Sequence, residues 1–253
     1  MISDTATLKA HLESSAYAPD VVLLKQSTTS TNDDVKMFAK QGFQRILVCS
    51  ESQTQGRGQH QRDWVSPKGN IYLSTLLSTT RPLDGRLALE VALNVLHMPC
   101  LDGFDLSVKW PNDLYSAQGK WGGILVEPIS TTQAIVGIGI NLFSHPTLQN
   151  LDQKTTALTQ IGHLAYSRLE VIADLYLAIQ HAGQWFNHNS QNLAHRFNQS
   201  AHFKDQKVDF EHQHGVQNGI FLGIQQDGAV RIQTPDQIHC FYQGRLRPSK
   251  TTP

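Results

Sequence analysis

The chain has 253 residues, 40% of them hydrophobic, which is enough to bury one large core and a small additional domain. Its 21 basic and 21 acidic residues cancel, so no basic surface favours DNA or RNA as the main partner. Three widely spaced cysteines without a C-x-x-C pair, together with the lack of a signal peptide or a bilayer-length apolar run, predict a cytoplasmic protein that does not enter membranes.

The first fifty residues predict alternating helices and strands. A short helix over residues 7–14 precedes a strand over residues 21–24. Thr31 is typical of a helix N-cap, and Asp34 three residues later would complete a capping box. Gly42 is placed to end that helix.

A long polar loop over residues 51–64 separates two apolar strand-like runs at 45–49 and 70–77. Long loops inside a compact domain are functional more often than structural. Gly56 and Gly58 flank Arg57, so the backbone can approach a ligand closely while the guanidinium binds phosphate oxygens. The alternative is a merely flexible loop. After it, Leu87, Val91 and Val95 share one face of a predicted helix.

Residues 109–113 and 120–127 predict a tight β-hairpin with Lys109 and Asp113 at one end and Lys120 at the other. An ammonium group in a partly dry pocket gains far more from a phosphate or carboxylate than one in water. The hairpin therefore indicates an anion site, although solvated lysines on an ordinary hairpin are the alternative.

The remaining elements indicate a second, smaller unit. Residues 134–142 predict a buried strand whose exposed edge would be available for pairing with a second copy, and residues 169–186 predict an amphipathic helix. Four short strand-like runs follow residue 204, which is typical of a small barrel. His212 and His214 alternate on one of them, so a metal site competes there with a solvated loop, and no third ligand is evident.

Five motifs, at residues 27–32, 53–64, 109–113, 120–127 and 137–141, stand in the same order as in biotin protein ligases, which the chain resembles over residues 27–142. The resemblance implies an α+β fold with a mixed central sheet flanked by helices, as in class II aminoacyl-tRNA synthetases and biotin ligases. It implies a catalytic domain over residues 1–200 and a C-terminal SH3-like β-barrel over residues 201–253.

The resemblance also implies a two-step reaction that uses ATP and Mg²⁺. Biotin is activated as biotinyl-5′-AMP and then transferred to a lysine of the biotin carboxyl carrier protein of acetyl-CoA carboxylase or of another biotin-dependent carboxylase. Only about thirty residues precede Ser30, too few for a three-helix DNA-reading module, so a monofunctional type without the N-terminal DNA-binding domain is expected. A homodimer is possible on this interpretation.

The resemblance assigns roles residue by residue. The expected catalytic residues are Lys120, Arg57, Asp113 and Lys109. Biotin is expected to contact Ser30, Thr31, Asn32, Gln53, Gly56, Arg57, Gly58, Gln59, Lys120 and Gly123. ATP is expected to contact Arg57, Arg62, Trp64, Asn112, Lys120, Asn141 and Arg247. No metal-ligating residue is assigned, although Asp113 is expected either to orient or deprotonate the acceptor lysine or to help place Mg²⁺.

One residue departs from the family pattern, which reads Gly-Arg-Gly-Arg where this chain has Gly-Arg-Gly-Gln, ending at Gln59. Losing a charge-assisted contact costs about 1–3 kcal/mol, so weaker retention of the adenylate is expected. Two other functions compete with biotin ligation. One is another acyl-adenylate transferase of the same broad fold, such as a lipoate ligase, and the other is a non-catalytic biotin-binding protein.

Overall fold

A computed structural model of the chain describes residues 4–148 and 153–249. Seven strands form a mixed sheet in the order β1-β2-β3-β7-β6-β5-β4, in which β1 and β2 run parallel and every other neighbouring pair is antiparallel. The strands are β1 (Val21–Lys25), β2 (Ile46–Ser50), β3 (Ile71–Ser78), β4 (Ser107–Lys109), β5 (Asp113–Ser116), β6 (Gly119–Pro128) and β7 (Gln133–Ile140).

Helices cover both faces of this sheet, because β3 and β7 are apolar on both sides. The helices are α1 (Asp4–Leu12), α2 (Thr31–Lys40), α3 (Arg86–Leu96), α4 (Leu158–Ile161), α5 (Arg168–Asn187) and α6 (Leu193–Gln199). The main core lies beneath α3 and α5, and a smaller apolar cluster lies beneath α2. The α+β class with a mixed, helix-flanked sheet is therefore confirmed.

The predicted capping box of α2 is wrong. Ser30 is the N-cap residue and makes no side-chain capping bond. Asp34 instead forms an ion pair with Lys25 at 3.0 Å and accepts a hydrogen bond from the Thr28 hydroxyl at 2.8 Å. The carboxylate gains more from this cation than from one backbone N–H, and the helix start is positioned by tertiary contacts instead.

The predicted free edge at residues 134–142 is also wrong. Strand β7 is interior to the sheet, pairing with β3 on one side and β6 on the other along its whole length. An apolar run with glycines indicates burial, but it carries no information on which strands flank it. The edges of this sheet are β1 and β4.

A second, antiparallel sheet follows with the order β11-β10-β9-β8-β12. Its strands are β8 (Lys207–His212), β9 (Gly215–Ile224), β10 (Val230–Gln233), β11 (Ile238–Phe241) and β12 (Arg245–Pro248); β12 was not predicted. The Val108 N–H donates to the Ser200 carbonyl and the His202 N–H donates to the Val108 carbonyl, each at 2.8 Å, which fastens the connecting segment to β4. The domain division at 200/201 stays a prediction, since one apolar cluster runs through both sheets.

None of the described helices combines the length and the apolar character needed to cross a membrane.

Candidate active site

A cavity of about 1380 Å³ opens between the large sheet, the loop that follows β2, and the small sheet. Every residue assigned to the site from the sequence lines it except Gly56. Gly56 is instead packed inside the loop, where an added Cβ would lie 2.5 Å from the Ser66 hydroxyl and 2.6 Å from the Trp64 carbonyl. The loop therefore needs glycine there to fold, and the clearance for biotin at Gly56 stays a prediction.

Two glycines form the floor of the cavity beneath Trp64. A Cβ on Gly123 would lie 2.9 Å from the indole ring, and one on Gly139 would lie 2.5 Å from its Nε1. The Lys120 ammonium stands 4.9 Å from the centre of the same ring. Within the described ranges the buried Nε1 of Trp64 has no hydrogen-bond partner. Trp64 thus brings a polar atom and an aromatic face to the cavity.

Lys109, Asp113 and Lys120 form one buried charge cluster. The register pairs Lys109 with Asp113 across the β4–β5 turn, and β6 returns Lys120 to the same carboxylate. Lys109 Nζ lies 3.4 Å from Asp113 Oδ2, while Lys120 Nζ contacts Asp113 Oδ1. The two lysines are 3% and 7% exposed. The expectation that Lys120 lies at the opposite end from Asp113 is therefore wrong, because a third strand closes the arrangement.

Burial and charge act in opposite directions on this cluster. Burial lowers the pKa of the Lys109 ammonium below its ordinary value, against the opposing charge on Asp113. Burial alone would raise the pKa of the Asp113 carboxyl, but the charges on Lys120 and Lys109 outweigh it and hold that pKa below its usual range. An ionised carboxylate between two buried ammonium groups leaves one excess positive charge, which an anion would neutralise.

The start of α2 is tied to the loop by side-chain amides. The backbone N–H and the hydroxyl of Thr31 donate to Gln53 Oε1 at 2.9 and 3.1 Å, and Gln53 Nε2 donates to the Ser66 hydroxyl at 3.1 Å. Ser74 on β3 lies 2.7 Å from the Thr31 hydroxyl and 2.5 Å from Asn32 Oδ1. These side chains are held in fixed orientations at the cavity wall.

Arg57 binds two carboxylates of the protein itself. Its Nη1 and Nη2 donate to Asp33 at 2.9 and 2.7 Å, and its Nε and Nη2 donate to Glu127 at 3.0 and 3.1 Å. Hydrogen bonds to Asp33 and then to Glu127 raise the pKa of Arg57 above its ordinary value. The phosphate contact assigned to Arg57 stays a prediction, and in this structure its guanidinium fastens the loop to α2 and β6.

The small sheet brings two arginines to the cavity. Arg247 Nε lies 2.6 Å from Glu211 Oε1. Arg245, which the sequence interpretation did not assign, lines the same cavity and forms no ion pair within residues 4–148 and 153–249. Burial lowers the pKa of Arg245, and the charges on Arg247 and Arg62 lower it further. The alternation of side chains along β12 was the available signal, since it places residues 245 and 247 on one face.

The two asparagines assigned to ATP are engaged with backbone. Asn112 Nδ2 donates to the Ile124 carbonyl at 2.5 Å, and Asn141 Nδ2 donates to the Thr156 carbonyl at 3.1 Å. Their side-chain oxygens remain the groups with which a nucleotide could interact. Gln59 and Arg62 lie on the loop beside them and also line the cavity.

The two histidines of β8 and its turn lie at the cavity rim. The His212 ring centre stands 4.8 Å from that of Phe241 and 6.0 Å from that of His214. Across the described part of the chain, no group of three His, Cys, Asp or Glu side chains is arranged to hold a metal ion.

Comparison with known proteins agrees with this site. Residues 23–141 match the sequence model of the biotin/lipoate A/B protein ligase family. The biotin–[acetyl-CoA-carboxylase] ligase of Mycobacterium tuberculosis is 30% identical over 178 residues, which are 66% of this chain and 66% of that protein. The enzyme of that name from Paracoccus denitrificans is 36% identical over 131 residues, 47% of this chain and 53% of that protein. The chain thus spans less than two thirds of either relative's length.

A solved structure extends the similarity to most of the chain. The biotin protein ligase from Aquifex aeolicus in complex with biotin and ATP superposes with a TM-score of 0.79 at 25% identity, covering 91% of this chain and 100% of that one. The biotin acetyl coenzyme A carboxylase synthetase from Helicobacter pylori superposes with a TM-score of 0.61 at 19% identity, covering 87% and 99%.

Proposed function

We propose that this chain, whose residues 23–141 match the biotin/lipoate A/B protein ligase family, activates biotin with ATP and transfers it to a lysine of a biotin carboxyl carrier protein. The carrier is that of acetyl-CoA carboxylase or of another biotin-dependent carboxylase, as the names of the relatives suggest. The observation that carries the proposal is the buried Lys109–Asp113–Lys120 cluster on the wall of a cavity large enough for biotin and a nucleotide.

In the first step the biotin carboxylate attacks the α-phosphate of ATP. A bond forms between a carboxylate oxygen and phosphorus, the bond to the β-phosphate oxygen breaks, and pyrophosphate leaves. Negative charge accumulates at the α-phosphate, and Lys120 is the buried cation on the cavity wall next to Trp64 and Gly123. Pre-positioned, desolvated cations stabilise such charge without reorganisation. We therefore assign Lys120 to contact both the biotin carboxylate and the α-phosphate.

In the second step the acceptor lysine's amine attacks the carbonyl carbon of the mixed anhydride and AMP leaves. A carboxylate whose pKa is held below its ordinary value is a weak base, which favours orientation of the incoming amine by Asp113 over deprotonation. Lys109 holds Asp113 in place from the β4 side. An Asp113→Asn variant that transfers biotin at the wild-type rate would remove this role.

Mg²⁺ is assigned to the nucleotide and not to a protein cage. The carboxylate of the cluster is paired with two ammonium groups, and no group of three His, Cys, Asp or Glu side chains among the described residues is arranged to hold a metal ion. A hard cation needs several oxygen ligands, which the triphosphate supplies. The described residues therefore do not fit a resident Mg²⁺ site.

The remaining assignments concern the rest of the chain. We propose that the C-terminal sheet is an SH3-like barrel over residues 201–253, which closes the cavity and offers Arg245 and Arg247 to the phosphates. The catalytic domain then covers residues 1–200. We further propose a cytoplasmic location, where carrier proteins and ATP occur together. A homodimer stays a prediction.

Intact-mass analysis of a carrier domain incubated with the protein, biotin and MgATP tests the proposal. A single biotin-sized mass gain that needs ATP and is lost in Lys120→Ala is expected. Asp20→Asn, which breaks an exposed ion pair with Arg45 on another part of the surface, is the matched control and should keep full activity. Lipoic acid in place of biotin tests the other branch of the family. Binding of biotin without pyrophosphate release would favour a non-catalytic biotin-binding protein.

A further inference from the structure

A closed ring of hydrogen bonds and short backbone links joins half of the residues expected to face biotin. It runs from Asn32 through Ser74 and Thr31 to Gln53, and from Gln53 through Ser66 to the Trp64 carbonyl. The Trp64 N–H donates to the Gly56 carbonyl at 2.9 Å, which leads to Arg57, and Arg57 and Asn32 both donate to Glu127. The ring joins α2, β3, β6 and the loop.

Glu127 closes this ring, although it does not line the cavity and no motif assigned it a role. Its carboxylate accepts two hydrogen bonds from Arg57, at 3.0 and 3.1 Å, and one from Asn32 Nδ2 at 2.5 Å. Charge-assisted bonds of this kind are about twice as strong as neutral ones, and the paired contact to a guanidinium also fixes its direction.

The orientation of the Asn32 amide depends on Glu127. A carboxylate accepts only, so it selects the amide nitrogen, and this turns Oδ1 toward the Ser74 hydroxyl at 2.5 Å. Gly137 lies against the same amide, and a Cβ there would collide with it. Asn32 is 4% exposed, so neither water nor a second rotamer offers an easy alternative.

We propose that Glu127 is a positioning residue for biotin: it acts through Asn32, whose donors and acceptors it orients, and through Arg57, by which it holds the loop closed. This inference rests on the proposed function. The ureido group of biotin has N–H donors and a carbonyl acceptor, so its recognition requires protein amides of fixed direction. Asp33, the other partner of Arg57, is half exposed and touches no cavity amide, so it serves only the loop.

Glu127→Gln is the discriminating variant because it keeps the side chain's size and removes its charge. Glutamine has one acceptor oxygen for the three donors that Glu127 now satisfies, and its NH₂ group would face the Arg57 guanidinium. We expect the Kd for biotin, measured by calorimetry without ATP, to rise about tenfold. The KM for ATP should rise no more than about threefold, through Arg57 and the loop alone, because Asn32 is assigned to biotin only; general loosening of the fold would not produce this split.

A second variant separates the two routes. In an Arg57→Gln background Glu127→Gln should weaken biotin binding by only about threefold, because the contribution through the loop is already lost. This double variant removes the charges of Arg57 and Glu127 together. It also serves as the test if the Glu127→Gln single variant does not fold. Asp33→Asn is the matched control: it breaks the other carboxylate contact of Arg57 and should change the Kd for biotin less than threefold.

Wild-type protein that binds biotin, together with a Glu127→Gln variant of unchanged Kd, would refute this inference alone. Equal losses of affinity for biotin and for ATP would also refute it, since they would indicate a structural role. Failure of the wild-type protein to bind biotin at all would overturn the proposed function and this inference with it.

Discussion

Replacing Asp113 by asparagine removes the carboxylate that lies between two buried lysines. Removing one partner of a buried ion pair costs about 3–5 kcal/mol, because the remaining charge stays desolvated. In a chain of this length 1 kcal/mol moves Tm by about 2–4 °C, so Asp113→Asn should lower Tm by roughly 6–20 °C. The cluster would then carry two uncompensated positive charges, and an added polyanion should recover part of the loss.

Thermal unfolding with and without saturating MgATP measures both effects. MgATP should raise the Tm of Asp113→Asn by several degrees more than it raises that of wild type. Glu90→Gln is the matched control, because Glu90 is fully buried and paired with Arg196 at 2.6 and 3.0 Å but does not line the cavity. It should lower Tm comparably, while its gain from MgATP should equal that of wild type.

The pH dependence of Tm gives a third check of the charges in the Lys109–Asp113–Lys120 cluster. Burial holds the pKa of Lys109 below its ordinary value, and the charge of Asp113 opposes that effect. A lysine with a lowered pKa favours the folded state more as pH rises toward its unfolded pKa, so the Tm deficit of Asp113→Asn should shrink between pH 7 and pH 9.5. A Tm within 2 °C of wild type at pH 7, or equal MgATP gains in both proteins, would refute the electrostatic account of the cluster.

Four other substitutions test separate parts of the cavity. Gln59→Arg should slow the dissociation of biotinyl-5′-AMP about fivefold or more, since a regained charge-assisted contact contributes about 1–3 kcal/mol; an unchanged rate in stopped-flow chase experiments would contradict this. Arg245→Ala should raise the KM for ATP about tenfold and Arg247→Ala only two- to threefold, because Arg247 is already paired with Glu211. The reverse order in pyrophosphate exchange would exclude Arg245 as the stronger contact of ATP. Gly139→Ala should displace Trp64, cost about 1–3 kcal/mol in urea unfolding and shift tryptophan emission, since the new Cβ lies 2.5 Å from Nε1; unaltered emission would refute this.

Elements whose signals lie within one segment were predictable from the sequence. The apolar stripe through Leu87, Val91 and Val95 corresponds to α3, and the helix expected over residues 169–186 corresponds to α5. The predicted capping box of α2 is wrong because Asp34 pairs with Lys25, nine residues earlier in the chain. Such a contact depends on the pairing of β1 with β2, which no local pattern encodes.

The candidate site was likewise predictable from the sequence only in part. Motif spacing identified Lys109, Asp113 and Lys120 as chemically active, but their convergence requires the β4–β5–β6 meander, which local turns alone do not specify. Glu127 ends the motif over residues 120–127, but that motif predicts no role for it, because its contacts are with Asn32 and Arg57, 95 and 70 residues away. Residue type and spacing identify candidates, whereas partners separated by many residues require the fold.

The zero net charge of the chain conceals a strongly positive cavity. Whole-chain balance argues against a polyanionic partner that covers a large surface, since exposed charges beyond about 10 Å are screened. The charge balance of the whole chain does not argue against a small anion, because Asp113 neutralises only one of two buried lysines and Glu211 is paired with Arg247. Burial lowers the pKa of Arg245, and the charges on Arg247 and Arg62 lower it further. A bound polyphosphate would offset the repulsion among these cations, so polyphosphate binding should stabilise the fold.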